Sequence, residues 1–275
     1  MRPDRPDIAA PELPQRVRWL NGDPGSMAEL TAAGPVLVHF FDFAQLNSVR
    51  ALPYVREWHG RYGGAGLTVL GVHSPRFAFT RARTALERGI ERLGIAYPVA
   101  QDSAYAIWHD YGAKGWPSLF LWSGAGALAW YHFGEGEYRA TEEAIQDELR
   151  SLDATASLPE PMPPLRPSDA TGALVAPPSD ELFPGGSPAE PWRASAGEAE
   201  LEVRYSAGGA YAALDGNGEM AVLVDGEQGP AVAVDGPGLY ELATHEHHGD
   251  HAVILRPGEQ VDVYALSFPA GLPAG

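Results

Sequence analysis

At 275 residues the chain is long enough for one large or two ordinary domains, each able to bury a core, and its 45% hydrophobic content is that of globular proteins. No apolar run approaches the ~20 residues that cross a bilayer, and residues 1–7 carry charge with no apolar stretch behind them, so no secretory signal is read and a cytoplasmic location is expected. A net charge of -17 argues against nucleic acid, whose phosphates demand a basic patch, and the absence of cysteine removes disulfides, thiolate metal sites, iron–sulfur ligation and thiol nucleophiles together.

The first half alternates strands and helices. Residues 17–20 read as a short strand and 26–30 as a short helix, with Glu29 at capping-box spacing from Ser26. The apolar run Val36–Phe41 reads as a buried strand leading to a helix over 48–62, where Val49, Leu52, Val55, His59 and Tyr62 recur at helical spacing. Asn47 or Ser48 is expected to cap that helix and Gly63-Gly64 to end it. A strand over 67–73 and a helix over 80–93, stopped by Gly94, follow. A short helix over 105–111 precedes a hairpin of Ser118–Trp122 and residues 127–133 around Ser123-Gly124-Ala125-Gly126, and an amphipathic helix over 141–149 closes the series. Such alternation implies parallel pairing with right-handed crossovers.

Residues 151–192 are dense in proline and read as an extended linker, with Leu182, Phe183 and Trp192 available to pin parts of it. From Glu198 the texture becomes short alternating runs: Leu201, Val203 and Tyr205, then strands over 220–224, 231–234, 239–243, 252–255 and 262–268. Asp215-Gly216, Asp225-Gly226 and Asp235-Gly236 recur at ten-residue spacing, as turns between antiparallel strands would. Charge divides at the same place: residues 1–150 carry 15 basic and 17 acidic side chains, and residues 151–275 carry 4 and 19. The expected organisation is an α/β domain over 1–150, a linker over 151–192 and an all-β sandwich or jelly-roll domain over 193–275.

The segment Phe41-Asp42-Phe43-Ala44-Gln45-Leu46-Asn47-Ser48-Val49-Arg50-Ala51-Leu52-Pro53 resembles the aromatic-rich Cys-Ile-Asn-Cys-Leu-Arg-Thr-Leu-Pro stretch of thioredoxin-like redoxins of the TlpA/DipZ type, in the AhpC/TSA superfamily. Asn47, Arg50, Leu52 and Pro53 stand as in that family, while Gln45 and Ser48 occupy the two thiol positions. Residues 70–79, 93–100, 111–117 and 131–136 keep the family's order and spacing, so the resemblance covers about residues 10–150. It implies an α/β thioredoxin-like domain, a cis-proline at Pro117 after Trp116, a kink proline at Pro53, and thiol–disulfide chemistry for which this chain has no thiol. Arg76 replaces the acidic residue common after Pro75 in the family. Residues 234–242 and 261–268 resemble the family's C-terminal β-sandwich, itself similar to a carbohydrate-binding module.

The candidate binding surface is therefore the former dithiol site: Gln45, Leu46, Asn47, Ser48, Trp116 and Pro117, offered to a peptide or protein partner. No catalytic residue and no cofactor are assigned. A serine nucleophile needs an oriented base and an oxyanion hole, and the role expected of Ser48 is a helix cap. His39 and His73, on apolar strands, read as core or rim histidines, and Asp42 with Arg76 as the lining of a small polar cleft or as plain surface charges. His245, His247, His248 and His251 in Thr244-His245-Glu246-His247-His248-Gly249-Asp250-His251 are weak metal candidates on what reads as a polar inter-strand loop. Trp108, Trp116, Trp122 and Trp130 read mainly as packing. Trp192, Tyr205, Tyr211 and Tyr240 are the aromatics that could stack on a sugar. The function expected is a redox-inactive binding or scaffold module, with carbohydrate recognition by the β domain, or an oxidoreductase with a non-cysteine, metal-assisted centre, as alternatives.

Overall fold

The computed structural model describes residues 1–3, 8–14, 16–195 and 199–274. Asp4–Asp7 and Glu198, on which part of the N-terminal reading and the start of the β texture fall, lie outside the described residues. The chain forms two compact units: one of Met1–Asp42, Asn47–Pro75 and Ile90–Leu165, the other of Phe43–Leu46, Arg76–Gly89 and Arg166–Gly275.

The α/β half runs β1 (Arg18–Leu20), α1 (Met27–Ala33), β2 (Val36–Phe41), α2 (Leu46–Tyr62), β3 (Thr68–His73), α3 (Arg83–Arg92), β4 (Val99–Gln101), α4 (Ala106–Tyr111), β5 (Ser118–Trp122), β6 (Leu128–Phe133) and α5 (Tyr138–Leu152). The sheet order is β1-β4-β3-β2-β5-β6, with β2, β3 and β4 mutually parallel and β1, β5 and β6 paired antiparallel to their neighbours. All six residues of β2 are buried, which is what a central strand covered on both faces requires. Val36, Val38 and Phe40 pack with Leu70, Val72, Phe120 and Trp122 against Ile107 and Tyr111 of α4, and the alternate residues Leu37, His39 and Phe41 turn to the other face. Gly71 of β3 is closely packed there: a Cβ would stand 3.1 Å from Phe41, Tyr97 and Val99 side-chain atoms, which would have to give by a few tenths of an ångström.

Local signals set the helix ends. Ser26 and Glu29 form the expected capping box on α1. The carboxylate of Glu12 adds acceptors for the amides of Met27 and Ala28, satisfying two more N-terminal donors. The cap expected at Asn47 or Ser48 is not found: α2 begins at Leu46, so both lie inside its first turn. The helix expected over 80–93 is shorter, because residues 79–81 form a 3-10 turn before α3.

The β half departs further from the reading of many short strands. It contains β7 (Leu201–Val224), β8 (Glu227–Gln228), β9 (Val232–Asp235), β10 (Gly238–Pro257) and β11 (Val261–Ser267), two of them 24 and 20 residues long. Register numbers fall along β7 as they rise along β10, from Gly238 opposite Leu214 to Leu255 opposite Leu201, so the two run antiparallel. Val253, Ile254 and Leu255 pair a second time, with Val224, Leu223 and Val222. The two ends of β7 therefore flank the same three residues, and the sheet bends round on itself. Asp225-Gly226 falls between strands as expected and Asp235-Gly236 at the end of β9, but Asp215-Gly216 lies within β7. Gly216 has φ +112°, and a Cβ there would stand 1.9 Å from the Gln260 carbonyl oxygen. The glycine is needed for close approach of β11 rather than for a hairpin.

Candidate functional site

The turn between β2 and α2 is built from the end of a buried strand. Phe40 pairs with Ser118 in the β2–β5 ladder, so residue 117 stands at the same end of the sheet as the exit from β2, and the Trp116–Pro117 peptide bond is cis. Pro53 sits inside α2. A central β3-β2-β5 core, a helix entered directly from β2, and a cis-proline before β5 together decide the architecture. The N-terminal half has the thioredoxin fold.

The chain is similar to several known proteins. The chain is 25% identical over 295 residues to Protein DipZ of Mycobacterium tuberculosis (strain CDC 1551 / Oshkosh), covering 94% of this chain and 42% of that protein. It is also 24% identical over 143 residues to the thiol-disulfide oxidoreductase YkuV of Bacillus subtilis (strain 168), covering 52% of this chain and 95% of YkuV. Among solved structures, a putative thiol:disulfide interchange protein DsbE from Chlorobium tepidum matches with TM-score 0.44 and 20% identity, over 52% of this chain and 96% of that one. No protein-family model matches. The chain spans less than half the length of the DipZ relatives, 42%.

At the two positions that the resemblance assigns to thiols stand Gln45, half-buried just before α2, and Ser48, 0% exposed in its first turn. The Ser48 hydroxyl accepts a hydrogen bond from the Asp42 amide at 3.3 Å, which ties the turn back to the strand end. Leu46 and Pro117 are buried, while Asn47 and Trp116 are half-buried. By compactness Gln45 and Leu46 belong to the second unit and Asn47, Ser48, Trp116 and Pro117 to the first. Trp116 packs on Trp108 with ring centroids 4.4 Å apart and donates its indole N–H to the Ser74 carbonyl at 2.7 Å.

The neighbouring polar residues divide differently from the cleft envisaged for Asp42 and Arg76. Asp42 is fully buried, with a carboxylate oxygen 4.0 Å from His73 Nε2. Burial pushes the His73 imidazole below its usual range, and the Asp42 charge opposes that shift in part. Arg76 pairs with Glu181 instead. His39 is a core histidine of an unusual kind: it stacks on Phe41 at 5.2 Å, and neither ring nitrogen has a hydrogen-bond partner among the described residues. Burial alone lowers its pKa to about 3.

Two buried carboxylates in the first unit carry structural work that the sequence did not disclose. Asp102 accepts from the amides of Ile107 and Trp108, holding the start of α4, and from the Ser74 hydroxyl. Glu142, 1% exposed on α5, accepts from the Tyr62 hydroxyl at 2.6 Å and the Met162 amide at 2.9 Å. Gln146 donates to the Tyr62 oxygen and to the Pro159 carbonyl. Desolvation, with the Glu142 hydrogen bond, raises the Tyr62 phenol to about 12. A glutamate on an amphipathic helix reads as a solvated face, and only its distance from Tyr62, 80 residues away in sequence, concealed the pairing.

In the second unit the histidine run lies within β10, not in a loop. It brings two imidazoles together: His245 and His251 stack with centroids 3.5 Å apart and planes 8° from parallel. His251 Nδ1 is 2.7 Å from Asp225, and His245 Nε2 is 2.8 Å from the Tyr205 hydroxyl. His248 meets Ser206 at 3.1 Å, and exposed His247 stands 3.9 Å from Glu246. Face-to-face rings aim their nitrogen lone pairs in parallel planes rather than at a common point, and among the described residues no group of three or more such side chains is placed to hold one metal ion. Of the proposed sugar-stacking aromatics, Trp192 and Tyr205 are buried core members, and Tyr240 packs against that core. Tyr211, opposite Glu241 and one register step from Tyr240, points to the other face.

Proposed function

We propose that the chain is a thioredoxin-fold protein that has lost thiol–disulfide exchange and works as a binding or scaffold module for a peptide or protein partner. Exchange needs a thiolate that attacks and a second thiol that resolves the mixed disulfide. What supports the reading is the content of the turn: Gln45 and Ser48 stand at the thiol positions, the chain has no cysteine, and the buried Ser48 hydroxyl is bonded to the backbone it supports. Within the first unit, the half-buried side chains of this surface offered to a partner are Asn47 and Trp116. Whatever DipZ and YkuV do as whole proteins, dithiol chemistry does not carry over to this chain without a thiol.

An insulin-reduction assay with dithiothreitol tests the redox half of the proposal. The native chain is expected to match the uncatalysed rate, and turnover above it would overturn the reading. A Gln45→Cys/Ser48→Cys variant is expected to close a disulfide on oxidation, seen as loss of two hydrogens in the intact mass, because the N-terminal amides of α2 favour a thiolate. Calorimetric titration with peptides tests the binding half. Heat from glycans and none from peptides would move the function to the β domain.

A further inference from the structure

The second unit contains a contact set that the function above does not use. Its centre is Arg76, in the segment Arg76–Gly89. Arg76 Nε lies 3.1 Å from Glu181 Oε2, and its Nη2 donates to the same oxygen. The other Glu181 oxygen accepts from the Ser267 hydroxyl at 2.9 Å. The guanidinium also lies over the Phe183 ring, 5.5 Å from its centroid. Ala78 donates its amide to the Pro188 carbonyl, and Phe79 packs on Tyr264 at 4.4 Å. One cation thus meets a carboxylate and an aromatic face two residues apart in Glu181-Leu182-Phe183-Pro184.

The same segment runs along the edge of β11 that β7 leaves open. Leu182 and Leu266 exchange backbone hydrogen bonds of 2.9 and 2.8 Å, Trp192 and Val263 exchange two of 2.8 and 3.0 Å, and Ala176 donates to Gly271 at 2.9 Å. These bridges are isolated, because Pro184, Pro188 and Pro191 have no N–H to continue a ladder. An edge covered by so few backbone bonds needs side chains to hold its cover.

We propose that Arg76, Ser267 and the β11 edge form a receptor surface for an extended acidic–aliphatic–aromatic–proline peptide, occupied in this chain by its own residues 176–192. The carboxylate is read by Arg76 and Ser267 together, the aromatic ring by the face of the guanidinium, and the backbone by strand addition. Leu182, 39% exposed, supplies spacing rather than affinity. The surface is separate from Gln45–Ser48 chemistry, and its existence does not depend on the loss of exchange.

Hydrogen exchange read by mass spectrometry on the full chain tests this. Arg76→Glu and Glu181→Arg are each expected to speed exchange in residues 179–192 by about tenfold, the effect of losing a charge-assisted hydrogen-bonded pair. The double reversal is expected to return it to within about threefold of the native rate, since the pair is remade. Exchange over α2 should be the same in all four proteins. Native exchange in both single variants, or no restoration in the double, overturns the proposal. Where a reversal also speeds α2, the milder Glu181→Gln decides: faster exchange confined to 179–192 supports the surface, and native exchange refutes it.

Discussion

His39 offers a direct measurement of what a misplaced imidazole costs. Both its ring nitrogens are buried without hydrogen-bond partners, and each such orphan costs about 1–3 kcal/mol of desolvation. Leucine at the same place on β2 is apolar and of comparable size, so His39→Leu is expected to raise stability near pH 7.5 by the two orphans together, about 2–6 kcal/mol, less whatever imperfect packing removes. The pH dependence is the sharper test. The native pKa of about 3 lies below the unfolded value near 6.5, so between those values the unfolded chain binds the extra proton and stability falls as pH falls. From pH 7.5 to pH 5 that loss is about 1.5 pKa units at 1.36 kcal/mol each, or about 2 kcal/mol. The variant lacks this loss while keeping every other histidine, so its advantage should widen by about 2 kcal/mol over that range. Urea unfolding followed by tryptophan fluorescence at the two pH values measures it. A gap that stays constant would show that His39 is solvated or partnered in the native protein and refute the reasoning.

Removing the Glu142 carboxylate with Glu142→Ala leaves the Tyr62 hydroxyl and the Met162 amide without their acceptor, and a loss of about 2–4 kcal/mol is expected in thermal or urea unfolding; Glu142→Gln, which keeps an acceptor oxygen, should lose less, and equal losses would mean that packing rather than hydrogen bonding is at stake. In the β half, burial first and the neighbouring His251 second hold His245 below the ordinary imidazole range, while Asp225 opposes them. Titration by NMR should therefore find His245 at the low end, and Asp225→Asn should move it lower still. An upward shift in the variant would show that the Asp225 carboxylate is not what holds the His245 imidazole up.

What could be read from the sequence follows the range of the interactions. The β2 run, the Ser26–Glu29 capping box, the Ser118–Trp122 strand and the position of the cis-proline were all legible, because each is specified within a few residues or by a family segment. The turn at Gln45–Ser48 was located by motif, yet the role of Ser48 was not, since a serine near a helix start is ambiguous until the strand-end amide of Asp42 is placed beside it. In the β half, alternation broken by glycine and acidic residues reads as separate short strands. β7 nevertheless continues through Asp215-Gly216, because β11 pairs with both residues, while on the other edge β10 reaches Leu214 and β9 takes over at Asn217. Glu142, Asp102 and the Arg76–Glu181 pair were beyond reach, since their partners lie elsewhere in the chain or on elements whose packing only the fold fixes.

The double pairing of Val253–Leu255 has a consequence for the order of events during synthesis. The residues at both ends of β7 wait for the same short stretch, which the ribosome makes about 30 residues after Val224. Until it emerges, the two ends of β7 lack this partner, although Gly238–Ala252 of β10 and the small β8 and β9 ribbon can already pair with the rest of the strand. Closure of the β half is thus a late, long-range step, slow for its size and vulnerable to association between nascent chains. Chains stalled or truncated before residue 253 are expected to aggregate through β7, while the α/β half, whose sheet is complete by Phe133, has already folded.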